Sequence, residues 1–195
     1  MTIYFVKANL ILLFYRMQGH LLIAHPLLND GFFNRSVVFL TSHGEEGAVG
    51  FCMNFKTQFY LRDVRPQVKN GNFPIYEGGP VAKNQLFFLH TLGHDLSDSV
   101  EVGHRLFVGG DFSELMHMID HGKVKSHQVR FFAGYSGWGE YQLEAEIEQK
   151  HWLVQEPEDA NFFSIPDEEL WGYQLSTVKQ SYKIFSEFGC DPSMN

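Results

Sequence analysis

Short apolar runs dominate the first two thirds of the chain. They are rich in β-branched and aromatic residues and are bounded by Gly, Asn and Asp, a pattern typical of buried strands. Six such runs predict strands, at residues 20–25, 36–42, 48–54, 86–91, 105–108 and 129–133. The segment 42–47, Ser-His-Gly-Glu-Glu-Gly, separates the second run from the third and predicts a hairpin that contains a glycine turn.

Helical periodicity comes later in the chain. Over residues 111–121 the apolar positions fall on one helical face, Asp111 is suited to cap the first turn, and Gly122 follows the last. A second helix is predicted over residues 140–149 and a third from Pro166, which three acidic residues follow. Strands mixed with unevenly spaced helices predict an α+β fold.

The length and the charge narrow the class of protein. A chain of 195 residues with 44% hydrophobic residues is expected to form one globular domain. Its net charge of −8 argues against a large basic surface for nucleic acid, so direct nucleic-acid binding is not expected. Residues 140–169 contain ten acidic residues and one Lys. This acidic segment is either a solvated face or a docking surface for a basic protein partner.

The cysteine content and the N-terminal residues indicate the cellular compartment of the protein. Cys52 and Cys190 are too few for a disulfide framework or a zinc ribbon, which favours the reducing cytoplasm. The apolar run at residues 10–15 is too short for a signal peptide or a membrane span. We therefore predict a cytoplasmic protein without a membrane partner. Residues 1–16 form an N-terminal extension, with residues 17–195 as the domain.

Metal and nucleophile motifs are incomplete. His90 and His94, and His117 and His121, are spaced four apart, but neither pair has the Glu or the third ligand of a zinc site. Ser136 lies in Gly-Tyr-Ser-Gly-Trp, where Trp replaces the second glycine of a nucleophile elbow. We therefore expect no catalytic residue, no metal and no cofactor, and we predict a protein that is not an enzyme.

Residues 131–146 are the most distinctive segment. We predict that a buried strand ends at Gly134, that an aromatic-glycine turn follows, and that an acidic helix then begins. Tyr135 and Trp138 each combine apolar area with a polar edge. Trp138 is expected to pack over the sheet with its indole N–H bound to a carbonyl. The alternative is that it forms one wall of a pocket.

Six motifs in order along the chain carry a resemblance to a known family. They are GHLLIA at 19–24, FNRSVV at 33–38, GAVGF at 47–51 with Asn54, GGPV at 78–81, GYSGW at 134–138 with Gln142, Leu143, Glu144 and Glu146, and Trp152. In this order they resemble the YqgE/AlgH family of bacterial proteins over residues 17–195, and the closing residues 191–195 are similar to its Bacteroidetes-type members.

The resemblance implies a fold more firmly than a function. It implies a single α+β domain whose bifurcated, mostly antiparallel sheet folds into a pseudo-barrel with flanking helices. Members of the family are described as uncharacterised or as candidate transcriptional regulators, and no catalytic residue is established for them.

Three functions remain open from the sequence. The first is a candidate transcriptional regulator that acts through protein contacts, because no helix-turn-helix or basic arm is present. The second is a small-molecule or anion-binding protein, or an enzyme of unknown reaction. Its pocket would use seven residues: Arg35, His43, Asn54, Gly78, Gly79, Tyr135 and Trp138. The third is an interaction module that uses the acidic segment.

Overall fold

The computed structural model describes residues 17–158 and 160–178. Residues 1–16, Cys190 and residues 191–195, on which some of the predictions depend, lie outside the described residues. The strands are β1 (Leu21–Ala24), β2 (Val37–Gly44), β3 (Gly47–Cys52), β4 (Lys56–Tyr60), β5 (Pro74–Glu77), β6 (Val81–His90), β7 (Val100–Gly103), β8 (Leu106–Val108), β9 (Val129–Trp138) and β10 (Trp152–Gln155). The helices are α1 (Leu61–Val64), α2 (Phe112–Asp120), α3 (Gln142–Glu148) and α4 (Asp167–Val178).

Strand β9 is the point where the sheet divides. The strand order is β10-β1-β2-β3-β9-β6-β8-β7, with β4 and β5 off this path. One edge of β9 pairs with β6. The other edge pairs in parallel with β5 over Phe131–Ala133 and antiparallel with β3 over Ser136–Trp138. This confirms the α+β class and the bifurcated, mostly antiparallel sheet.

The ten-stranded sheet stays open within the described residues, although it curls until β7, at one end of the path, approaches the chain just before β1, which neighbours the other end. The backbone at Gly19, just before β1, packs against β7. A Cβ atom at Gly19 would lie 2.9 Å from the carbonyl oxygen of Val102. The sheet therefore folds back on itself as a pseudo-barrel.

The two faces of the sheet carry separate apolar clusters. Phe131 and Phe132 are adjacent on β9, so their side chains point to opposite faces, and each is fully buried in a different cluster. Helices α3 and α4 cover the Phe132 face with Leu143 and Leu170. Helices α1 and α2 cover the other face. No helix in the described part of the chain is long and apolar enough to span a membrane.

The predicted strands and helices are present, with one correction at β9. The predicted turn after Gly134 is wrong, because the strand continues to Trp138. Gly134, at φ +74°, marks an irregularity inside the strand, and the glycines of this segment allow close backbone packing there. Four strands were not predicted, namely β4, β5, β7 and β10. They are short, and β4 is largely exposed, so it lacks a long apolar run.

Candidate functional site

A cleft of about 640 Å³ opens between α3, the end of β9 and the loop before β2. Its size lies within the range of small-ligand pockets. The lining residues are Leu28, Asn29, Asp30, Phe33, Pro80, Gly137, Trp138, Gln142, Ala145, Glu146, Gln149, His151 and Trp152. We call it the tryptophan cleft.

Glu146 on α3 is the polar centre of the tryptophan cleft. Its Oε2 accepts the indole N–H of Trp138 at 2.9 Å and that of Trp152 at 2.8 Å. Its Oε1 accepts an amide N–H of Gln142 at 2.9 Å. Three neutral donors therefore fix this carboxylate, and none of them cancels its charge.

The aromatic walls of the cleft are tightly packed. The Phe33 ring stacks on Trp138 at 6.1 Å and meets Trp152 edge-on at 5.3 Å. Trp138 is 6% exposed, which confirms the prediction that its ring packs over the sheet. Its hydrogen-bond acceptor differs from the prediction, because it is the Glu146 carboxylate and not a carbonyl. Trp138 is thus both a packing residue and part of a pocket wall.

His43 fastens the β2–β3 hairpin to α3. Its Nε2 lies 2.9 Å from Oε1 of Glu144, and its side chain is 3% exposed. Its Nδ1 is buried and has no hydrogen-bond partner among the described residues. Glu144 and Glu146 therefore reach different parts of the sheet from one helix, and His43 is not among the residues that line the cleft.

Arg35 and Asn54 meet at the start of β2. Asn54 donates its amide to the carbonyl of Arg35 at 2.9 Å and accepts the N–H of Val37 at 2.9 Å. The Arg35 guanidinium lies over the ring of Trp171 on α4, 5.0 Å from the ring centroid. This pair joins the loop before β2 to the turn after β3.

Gly78 and Gly79 lie in the fork of the sheet. A Cβ atom at Gly78 would overlap the carbonyl of Gly134, and one at Gly79 would overlap the backbone of Tyr135. These positions require glycine because two backbones approach closely. The Tyr135 ring packs edge-on against Phe87 at 5.6 Å.

The seven predicted site residues therefore do not come together at one site. The structure brings Arg35 together with Asn54, and it places Gly78 and Gly79 against the backbone of β9. Of the seven, Trp138 lines the tryptophan cleft. From Val37 to His43 the extended strand β2 covers roughly 20 Å, which separates the His43 contacts from those of Arg35.

Arg130 on β9 forms a second polar centre that the sequence reasoning missed. Its guanidinium donates to the carbonyl of Met53 at 2.6 Å and to that of Phe163 at 3.1 Å. It lies 3.7 Å from Asp167, at the start of α4, and Asp167 also accepts the hydroxyl of Tyr76 at 3.0 Å. Burial raises the pKa of Tyr76 to about 12. The available signal was a lone Arg inside an apolar strand.

His90, His121 and Ser136 have hydrogen-bond partners within the protein. His90 is fully buried, its Nδ1 accepts the N–H of Leu92 at 3.3 Å, and its Nε2 lies 3.0 Å from the Gly109 carbonyl. Burial lowers the pKa of His90, which favours the neutral ring. The Ser136 hydroxyl donates to the carbonyl of Gly78 at 3.0 Å. Within residues 17–158 and 160–178, no three His, Cys, Asp or Glu side chains are grouped as metal ligands.

The chemistry of the tryptophan cleft suits a cation. Its walls are aromatic, Asp30 and Glu146 supply carboxylates, and its described lining contains no Lys or Arg. Aromatic faces and carboxylates together attract ammonium and guanidinium groups.

Comparisons with known proteins agree on one family. A family model described as AlgH-like matches residues 21–183. A UPF0301 protein from Bacteroides thetaiotaomicron is 36% identical over 179 residues, which cover 91% of each chain. A UPF0301 protein from Parabacteroides distasonis is 38% identical over 181 residues, which cover 92% of this chain and 91% of that one.

Solved structures show the same fold. The solution structure of the AlgH protein from Pseudomonas aeruginosa matches with a TM-score of 0.71 and 28% identity, over 88% of this chain and 93% of that one. The crystal structure of a protein from Corynebacterium diphtheriae matches with a TM-score of 0.70 and 22% identity, over 87% of this chain and 91% of that one.

Proposed function

The chain belongs to the AlgH-like family, and from that premise we propose that it binds a basic segment of a partner protein in the tryptophan cleft, without enzymatic chemistry. An Arg or Lys side chain of the partner enters the cleft, where its cation lies against the aromatic walls and near the Glu146 carboxylate. Exposed acidic residues of the segment 140–169 at the two ends of α3 attract the rest of the basic segment.

One observation carries the proposal. Glu146 is held by three uncharged donors inside an aromatic cleft, so its negative charge is oriented and not neutralised. A partly buried carboxylate of this kind gains most from a cationic ligand, because the cation replaces water with a charge-assisted contact. Exposed Glu140 and Glu148, at the two ends of α3, extend the negative field beyond the cleft.

The proposed role is regulation through protein contact. The net charge of −8 disfavours direct DNA binding, so a regulator of this kind acts on a partner protein. We place this role in the cytoplasm. There the buried thiol of Cys52, whose pKa burial raises to about 12, stays reduced and unreactive.

The experiment is a titration with a matched pair of short peptides, one containing arginines and the other containing citrulline at the same positions. Binding is followed by the fluorescence of the tryptophans and by calorimetry. We expect the arginine peptide to bind and the citrulline peptide to bind at least about ten-fold more weakly. Glu146→Gln keeps an oxygen acceptor for the two indoles and removes the charge, so it should weaken the arginine peptide by about the same factor.

The matched control is Glu101→Gln, which removes one exposed charge on β7, away from the cleft lining. Its affinity for the arginine peptide should stay within about two-fold of wild type. Equal binding of both peptides, equal losses in the two variants, or no binding at about 1 mM peptide would overturn the proposal.

A further inference from the structure

We propose a second binding site, for a small apolar carboxylic acid, in a groove between β6, β8 and α2. The groove has a volume of about 340 Å³. Its lining residues are Arg65, Leu86, Phe87, Phe88, Val108, Gly109 and Phe112. In this site the acid's apolar body lies on the aromatic and aliphatic walls, and Arg65 binds its carboxylate. We call it the Arg65 groove.

The groove forms because β8 leaves β6 early. β8 pairs with β6 at Leu89 and His90, and the last contact is a 3.4 Å bond from the Gly109 N–H to the Phe88 carbonyl. Gly109 and Gly110, at φ +70° and +119°, then turn the chain into α2. The remainder of β6 has no β8 partner along this edge, which leaves a notch walled by side chains of β6 and α2.

Among the described residues that line the Arg65 groove, Arg65 is the one that carries a positive charge. Its guanidinium lies over the Phe112 ring, 5.6 Å from the ring centroid, and donates to the Val64 carbonyl at 2.9 Å. In the part of the chain that the structure describes, no carboxylate lies within ion-pair distance of Arg65, whereas Arg62 and Arg130 each have one. A guanidinium fixed on a ring with donors to spare matches a carboxylate.

The surroundings favour a monocarboxylate over a phosphate. Asp111 accepts the N–H of Glu114 at 2.8 Å, so the first turn of α2 is capped by the protein's own carboxylate. The Glu114 carboxylate accepts the N–H of Ser97 at 3.0 Å. These two carboxylates do not line the groove, but they flank Phe112, which does, in the N-terminal part of α2, so they oppose a dianion, and one guanidinium balances a single charge. The apolar lining then selects an acid with an aromatic or aliphatic body.

The test compares phenylbutyrate with phenylbutanol, which has a similar apolar body and no charge. Calorimetry measures each Kd, and two-dimensional NMR follows the backbone amides of Gly109 and Phe112. We expect phenylbutyrate to bind at least about ten-fold more tightly than the alcohol and to shift both amide signals. Arg65→Gln should weaken phenylbutyrate by a similar factor and leave the alcohol unchanged.

Arg62→Gln is the matched control, since Arg62 is exposed on α1 and stacks on Tyr60 outside the groove. Equal affinity for acid and alcohol, equal losses in the two arginine variants, or no binding at about 1 mM would overturn the inference. Arg65→Gln should leave arginine-peptide binding at the tryptophan cleft unchanged. The two proposals can therefore fail independently.

Discussion

Two helices on the same face of the sheet are each held to it by a carboxylate. The donors to one carboxylate are all uncharged, whereas the other carboxylate lies beside a cation. Glu146 on α3 receives two indole N–H groups and one amide N–H, all uncharged. Asp167 on α4 lies beside the buried guanidinium of Arg130 and accepts the Tyr76 hydroxyl. Near Asp167 the charge is cancelled inside the protein, whereas at Glu146 it is not.

The difference between the two carboxylates indicates where a ligand would gain most from binding to this fold. The ion pair between Arg130 and Asp167 positions α4. Because its two charges cancel, it attracts a charged partner only weakly. A carboxylate held by neutral donors has equal positional precision and keeps its charge. The same sheet therefore uses the Arg130 centre for architecture, and in the function that we propose it uses the Glu146 centre for recognition.

We expect the largest loss of stability when Trp138, which donates to Glu146, is replaced. Trp138→Ala removes a ring that packs on Phe33 and Trp152 and leaves a cavity at the end of β9. We expect the free energy of unfolding to fall by about 3–5 kcal/mol. Urea unfolding measures it, as a shift in midpoint at unchanged slope. Trp138→Phe, which keeps a ring and loses the N–H, should cost about 1–2 kcal/mol. A loss below about 1.5 kcal/mol for the alanine variant would contradict the packing role.

We expect the next largest loss of stability when Arg130 is replaced. Arg130→Met keeps an apolar stem but removes the donors to the carbonyls of Met53 and Phe163 and leaves Asp167 without its cation. We expect a loss of about 3 kcal/mol in unfolding free energy. The double variant with Asp167→Asn should be less destabilised than the sum of the two single changes, because the first change already removes the ion pair. Additive losses in the double-mutant cycle would show that the pair is not coupled.

The smallest expected effect is a pH dependence of stability that comes from Tyr76, the hydrogen-bond partner of Asp167. Burial holds the pKa of Tyr76 at about 12, above the ordinary 10.0, so between these values the folded protein keeps a proton that the unfolded chain loses. Its stabilising contribution is full below pH 10 and is lost as pH rises towards 12. Relative to Tyr76→Phe, wild type should lose about 1 kcal/mol between pH 8 and pH 11. A difference that stays constant between urea curves at the two pH values would contradict this.

Six of the ten strands were predictable because they carry apolar runs bounded by turn residues. The end of β9 was not, because three glycines in residues 134–139 are also the composition of a turn. Here they allow the fork of the sheet, where Gly78 packs against Gly134, and a single sequence contains no signal of that distant approach. The edge strand β4 was not predicted for a related reason, since polar residues along an exposed edge resemble a loop.

The candidate site was predictable only in part. The burial of Trp138 followed from its size and its place after a buried strand. Its partner Glu146 lies eight residues further on, across a strand-to-helix connection, and sequence spacing does not fix that geometry. Arg130 had a usable signal, since a charge within an apolar strand requires a partner. The identity of that partner, Asp167, depends on how α4 docks.

The fork at β9 also has a consequence for how the protein is made. On the ribosome, β3, β5 and β6 emerge long before residues 129–138, and all three pair with β9. Until that segment emerges, the nascent chain holds three strands with an open edge, among them strands that carry large aromatic side chains. Such edges can pair with other chains, so we expect the chain to be most prone to aggregation during this period of its synthesis. The segment 129–138 ends that period by joining both branches of the sheet at once.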